Sequence, residues 1–167
     1  AQGNAFTFEE IFTRYLTLGG MPEIAHLDTT QEMQTLYWKS LYQTVVEKDI
    51  VSRLRKTPDG LRDKTLLLDV CRYVANTVGH VLSSTKLANA LPGSGANSHV
   101  TVQRYLASLE AAYVIYKCLR YDARGKEILT KLPKYYMVDL GLVNYLDGYR
   151  LENSGFHLEN AIYLQLF

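Results

Sequence analysis

Cysteine is scarce and neither charge is in excess. The two cysteines, Cys71 and Cys118, exclude a disulfide-stapled scaffold and read as reduced, buried thiols of a cytoplasmic protein. Eighteen Lys and Arg residues balance 17 Asp and Glu, leaving a net charge of +1. Only 21% of the residues are charged, which excludes the disordered class. No apolar run approaches the ~18 residues of a membrane span. No basic start leads into an apolar stretch, so no secretion signal is visible, and the missing initiator Met reads as an excised piece. There is no GxxxxGK[ST]. The Gly-rich loop Gly93-Ser94-Gly95 lacks the lysine that a phosphate-binding loop needs. The histidines, His26, His80, His99 and His157, lie far apart with no Cys, His or carboxylate at ligand spacing, so no metal site is expected. There is no G-x-S-x-G elbow.

What remains is a foldable chain. Of its 167 residues 47% are apolar, enough for a real core in one domain or one and a fraction. Charge is locally uneven: from Lys117 to Lys134 six basic residues face only Asp122 and Glu127.

Apolar positions recur at helical spacing in Thr7–Leu18, with Thr7 and Glu10 at capping-box spacing and Gly19-Gly20 as the stop. A longer helix is predicted over 30–55, its apolar stripe made by Leu36, Leu41, Val45, Ile50 and Leu54 with Trp38, Tyr42 and Val46 beside them. After the turn Thr57-Pro58-Asp59-Gly60 come helices over 61–78, 85–91 and 98–113. The period then changes. Val114–Tyr121 reads as a strand and Glu127–Val138 as its return, with Gly125 supplying positive φ in the turn and Pro133 marking an edge or bulge. Asp139 caps a short helix over 140–146, and a last helix starts at Leu158.

Helix, short helix, turn, longer helix and hairpin form the order of a winged helix-turn-helix. In such units the first two helices hold the third outward. Its outer face is predicted to carry His99, Gln103 and Arg104, with Ser98 and Thr101 near the positive end of the helix dipole. Arg124 and Lys126 fall at the tip of the wing, where a phosphate would lie. Tyr121, Tyr135 and Tyr136 are the candidates for stacking on bases.

Four strings in order extend the reading: Tyr15-Leu16-Thr17-Leu18-Gly19-Gly20-Met21-Pro22-Glu23, Thr101-Val102-Gln103-Arg104-Tyr105-Leu106, Lys134-Tyr135-Tyr136-Met137-Val138-Asp139-Leu140-Gly141-Leu142, and Gly155-Phe156-His157-Leu158-Glu159-Asn160. Together they resemble the C-terminal region, known as domain of unknown function 4143, of predicted bacterial and archaeal AAA+-type ATP-binding proteins. The resemblance implies an ATPase module outside this chain, with ATP and Mg as its cofactors and none in this chain. It also implies a restriction-endonuclease-like unit after the winged helix, of which Glu159 would be the first helix glutamate.

The expected fold is therefore mainly α with a small β-hairpin. A helical segment (1–57) precedes a winged-helix domain (58–147) and the truncated start of a restriction-endonuclease-like unit (148–167). The expected function is a non-catalytic, nucleic-acid-binding module with DNA as partner, through Ser98, His99, Thr101, Gln103, Arg104, Arg124 and Lys126. The alternative is a protein-interaction or oligomerisation module, with an exposed apolar patch around Trp38, Tyr42 and the 158–167 helix. No membrane partner and no catalytic residue are expected.

Overall fold

The computed structural model of the chain describes residues 6–26, 30–58, 60, 63–91 and 99–166. The architecture is mainly helical with a small antiparallel sheet. Helix α1 (Phe8–Leu18) begins at a closed capping box: the Thr7 hydroxyl accepts from the Glu10 N–H, and the Glu10 carboxylate accepts from the Thr7 N–H. It ends at Gly19, whose φ of 89° is open to glycine. After α2 (Pro22–His26), α3 (Gln31–Tyr42) runs on through a wider π-helical stretch, Gln43–Ile50, into α4 (Val51–Arg55). Together these fill the long helix expected over 30–55. Its inner stripe is Trp38, Tyr42, Val46, Ile50 and Leu54, while Leu36 faces out. Trp38 is only 3% exposed and Tyr42 6%, so neither contributes to an exposed apolar patch, contrary to expectation.

Helix α5 (Lys64–Asn76) starts later than expected because Asp63 is its cap, accepting from the Thr65 and Leu66 N–H groups. The buried Tyr105 hydroxyl accepts from the Asp63 N–H and donates to its carbonyl, both at 3.1 Å. That pair ties the start of α5 to α7 (His99–Ala111). Between them α6 (Ser84–Ala90) is capped by Ser83. The expected cap of α7, Ser98, lies outside the described residues, as does the Pro92–Asn97 turn.

Strands β1 (Ile115–Asp122) and β2 (Glu127–Met137) pair antiparallel, from Ile115 opposite Met137 to Asp122 opposite Glu127. The register breaks between Cys118, opposite Lys134, and Arg120, opposite Leu129. The extra β2 residues include Pro133 and Leu132, the latter at φ 57°. The outer edge of β2 is not open there: Val81 bridges Lys134, and the Leu82 N–H donates to the Pro133 carbonyl. In the turn, the left-handed residue is Lys126 (φ 51°) and not Gly125. Helix α8 (Leu140–Asp147) and α9 (Ser154–Leu166) close the chain, joined through a 3-10 turn at Leu151–Asn153.

One apolar cluster runs from Ile24 to Ala161, with Leu67, Val70, Leu87, Val102, Leu109, Ile115, Met137 and Leu140 at its centre. The first and eighth helices are locked by polar groups. The Asp139 carboxylate accepts from the Gly141 N–H at 2.7 Å and from the Gly20 N–H at 2.8 Å. Asn144 donates to the Leu16 and Thr17 carbonyls, which the end of α1 leaves without helical partners. A Cβ at Gly141 would overlap the Leu18 carbonyl and the Trp38 ring, so the close approach requires glycine. Among the described residues no helix is long and apolar enough to cross a membrane.

Candidate functional site

The site is built on α7 and the hairpin that follows it. Val102, Tyr105, Leu106 and Leu109 fix one face of α7 in the core. Helical spacing then decides the fate of its polar residues. Thr101 lies one turn before Tyr105 and shares its inward face. It is buried, where a residue of the outer face was expected. Arg104 is half-buried. Its Nε and Nη2 are shielded from solvent and its guanidinium carbon lies 5.8 Å from the Tyr105 ring centroid, so it folds back and does not extend outward. His99 and Gln103 remain on the exposed face. Gln103 donates to the Ser84 hydroxyl at 3.2 Å, tying α7 to α6. Ser98 lies outside the described residues.

A cleft of about 640 Å³ separates α6 and α7 from the hairpin. Ser83, Ser84, Gln103, Glu110, Lys117 and Tyr135 supply its polar lining. Glu110, which offsets the helix's basic charge in the sequence, was not among the expected site residues. It sits seven residues after Gln103, two turns along the same face, and places a carboxylate in the cleft.

The hairpin carries the cations. Lys117, Arg120, Arg124 and Lys126 are exposed, and none of them makes an ion pair among the described residues. The tip is ordered locally, because the Asp122 carboxylate accepts from the Arg124 N–H at 3.0 Å. Tyr121 and Ile128 face each other across the strands, both 64% exposed. Tyr121 thus stays available for stacking, whereas Tyr135 and Tyr136 are buried and do not. Burial pushes the Tyr135 hydroxyl up to about 12.

The root of the hairpin is held by α9. Asn160, fully buried, accepts from the Met137 N–H and donates to the Met137 carbonyl, pairing with β2 as a neighbouring strand would. Glu159 accepts from Lys134 at 2.7 Å and from the Tyr136 hydroxyl at 2.5 Å. Burial pushes Glu159 up, but these two bonds and the Lys134 charge outweigh it and hold the carboxyl below its usual range. The Tyr163 ring stacks on Tyr136 at 4.1 Å. Glu159 therefore acts as a structural anchor for the hairpin. Among the described residues no group of three or more His, Cys, Asp or Glu side chains is placed to hold a metal.

A family model described as Domain of unknown function (DUF8612) matches residues 9–153. An uncharacterized protein of Haemophilus influenzae is 29% identical over 159 residues, which is 95% of this chain and 38% of the relative. The chain thus spans less than two fifths of that relative's length. No solved structure matches. These findings correct the resemblance drawn from the four strings. The matching model is not domain of unknown function 4143, and neither match carries a link to AAA+ ATPases. The ATPase module, its ATP and Mg, and the nuclease-like continuation are implications of that resemblance and lose their ground with it.

Proposed function

For a chain that belongs to the DUF8612 family, whose description names no activity, we propose a nucleic-acid-binding module of winged-helix type that works without catalysis of its own. The observation that carries this reading is the row of cations Lys117, Arg120, Arg124 and Lys126 on an exposed hairpin, without ion pairs among the described residues. Phosphate contact supplies nearly all of the non-specific affinity for nucleic acid, and it needs cations that are not already neutralised. The arrangement around the hairpin supports the reading. Helices α5, α6 and α7 precede it, and Val81 adds a bridge to its outer edge. That is the order of a helix-turn-helix with a wing.

The balance of contacts is shifted from helix to wing. Of the helix residues, His99 and Gln103 are exposed, while Thr101 and Arg104 are withdrawn and Glu110 adds a negative charge to the cleft. A module of this kind grips backbone and reads little sequence. The reduced thiols Cys71 and Cys118 fit a cytoplasmic protein.

The test is anisotropy of a labelled DNA duplex of about 20 base pairs, titrated at several salt concentrations. Each phosphate contact adds about 0.9 to the slope of log affinity against log salt. Arg124→Ala with Lys126→Ala is expected to lower that slope by about 1.8, roughly equally for unrelated sequences. A slope unchanged by the double substitution, or no binding at low salt, overturns the reading.

A further inference from the structure

The hairpin has two faces. On one, Tyr136 stacks on Tyr163 and Lys134 pairs with Glu159, so that face lies against α9. Lys117 and Tyr135 sit opposite each other across the strands, and both line the cleft beside α6 and α7. They belong to the other face. Side chains alternate along a strand, so this second face continues outward from Lys117 through Leu119 to Tyr121, with Ile128 directly across from Tyr121. Leu119, Tyr121 and Ile128 are all exposed.

We propose, on the basis of the nucleic-acid reading above, that this face binds unpaired DNA bases, so that the favoured ligand is a duplex carrying a single-stranded extension. Charge selects the class of ligand. Lys117 stands at the inner end of the apolar run, and Arg124 and Lys126 stand in the turn beyond its outer end. The hairpin acids Asp122 and Glu127 sit opposite each other and by alternation fall on the face away from Tyr121. An anionic backbone can therefore be held at both ends of the run while its bases lie on the apolar side chains between. From Lys117 to Tyr121 the strand rises about 13 Å, the length of about four stacked nucleotides.

The side chains select unpaired bases over a closed duplex. A duplex presents phosphate and sugar outward and hides the flat faces of its bases in the stack. Those faces are open in a single strand, where an aromatic ring can stack on them. The seat for a duplex on α7 is also poor. Thr101 is buried, Arg104 folds back, and Glu110 places a carboxylate in the cleft, where it repels a backbone phosphate. A base edge turned toward Glu110 brings N–H groups from which that carboxylate accepts. A lipid surface fits less well. It would meet the tip of the hairpin, which is polar and carries Asp122 and Glu127, whereas the apolar side chains lie back on the flank shared with the cleft.

The test compares three labelled probes by anisotropy: a blunt duplex of about 20 base pairs, the same duplex with an overhang of about six nucleotides, and the same overhang made abasic. The abasic overhang keeps the phosphates and removes the stacking faces. The intact overhang is expected to bind about tenfold tighter than the abasic one. Tyr121→Thr keeps a β-branched strand former and removes the ring. It is expected to erase most of that difference and to leave the salt slope on the blunt duplex unchanged, whereas Tyr121→Phe is expected to keep the difference. Equal binding of the intact and abasic overhangs overturns the proposal and leaves the phosphate grip of the hairpin standing. An equal loss on all three probes in Tyr121→Thr overturns it too, and failure of every probe to bind at low salt takes down both readings together. Flotation with phosphatidylserine vesicles that Tyr121→Thr abolishes assigns the face to lipid and likewise overturns it.

Discussion

Gly141→Ala tests the lock between α1 and α8. The position has no left-handed strain, and alanine is the better helix former by about 1 kcal/mol. On propensity alone the substitution stabilises. The structure gives the opposite sign. The added Cβ would overlap the Leu18 carbonyl and the Trp38 ring, a backbone atom and a 3% exposed side chain, neither the free end of a flexible group. Relief requires α1 or Trp38 to move. Overpacking of this kind costs roughly 1–3 kcal/mol. Moving α1 also loosens the two Asn144 bonds to Leu16 and Thr17, each worth roughly 0.5–1.5 kcal/mol. After subtracting the propensity gain, the net loss is about 1–5 kcal/mol, centred near 3. For a domain of this size that lowers Tm by roughly 5–15 °C. Gly148→Ala is the control. Gly148 has φ 79° but nothing within 4 Å of its would-be Cβ, so it incurs left-handed strain of about 1–2 kcal/mol, part of it offset by the stiffer unfolded chain. Thermal unfolding followed by circular dichroism reads both. A drop for Gly141→Ala no larger than that for Gly148→Ala refutes the close-approach argument.

Three further outcomes follow from buried polar groups and exposed anchors. Asp139→Asn keeps one acceptor but turns an amide toward the second N–H, so denaturant unfolding should show a loss of about 1–3 kcal/mol; a loss under about 0.5 kcal/mol would remove Asp139 from the lock. His157 is 2% exposed, and burial holds it below the ordinary imidazole value of about 6.5. The unfolded chain then binds a proton that the fold excludes, so stability is full above about pH 6.5 and declines as pH falls below it toward the depressed folded value. Tm measured between pH 7.5 and 5.5 should fall less in His157→Gln than in the parent chain, and equal slopes would contradict the assignment. Asn160→Ala leaves the Met137 N–H and carbonyl buried without that partner; hydrogen exchange at Met137 should accelerate markedly, and unchanged protection would show that α9 does not hold the strand.

The sequence made the elements legible where a local rule decides them. The capping box at Thr7, the cap at Asp139, the helical stripe of Val102, Leu106 and Leu109, and the β-branched run after Val114 are all decided by neighbours within a turn. What escaped was decided across the fold. Phe8, Ile11 and Phe12 have the spacing of an inward stripe, yet the polar lock to α8 grips the C-terminal end of α1 and these three stay exposed. Trp38 and Tyr42 fit both the helix stripe and an exposed patch, and nothing in their own helix shows that Gly141 brings α8 against Trp38 and settles the choice. Tyr113 shares the helical spacing of α7 but follows its end, and at φ 55° it turns out to 71% exposure. The site suffered in the same way. Thr101 and Arg104 are polar, and composition placed them outside, whereas the shared face with Tyr105 drew them in. The strings around Gly19-Gly20 and Asp139-Leu140-Gly141 stood apart in the sequence. The fold explains both at once, because one carboxylate accepts from Gly20 and Gly141.

Two surfaces meet on α9, and the geometry of that helix keeps them separable. At about 100° per residue, Asn160 and Ile162 point roughly 200° apart. Asn160 and Tyr163, three residues apart, face the hairpin, where one pairs with Met137 and the other stacks on Tyr136. Leu158 and Ile162, four apart, face a groove shared with α1. The helix thus carries exposed apolar residues on one side and, on the other, the amide that pairs with the strand. A substitution at Ile162 leaves the bonds to Met137 in place, and Arg124 and Lys126 lie at the far end of the strands from that root. Duplex binding that survives Ile162→Asp and is weakened by Arg124→Ala with Lys126→Ala is what a hairpin merely anchored by α9 requires. If Ile162→Asp abolished duplex binding, the exposed face of α9 would have to be coupled to the hairpin, and Asn160, the residue that joins the helix to the strand, would be the place where that coupling passes.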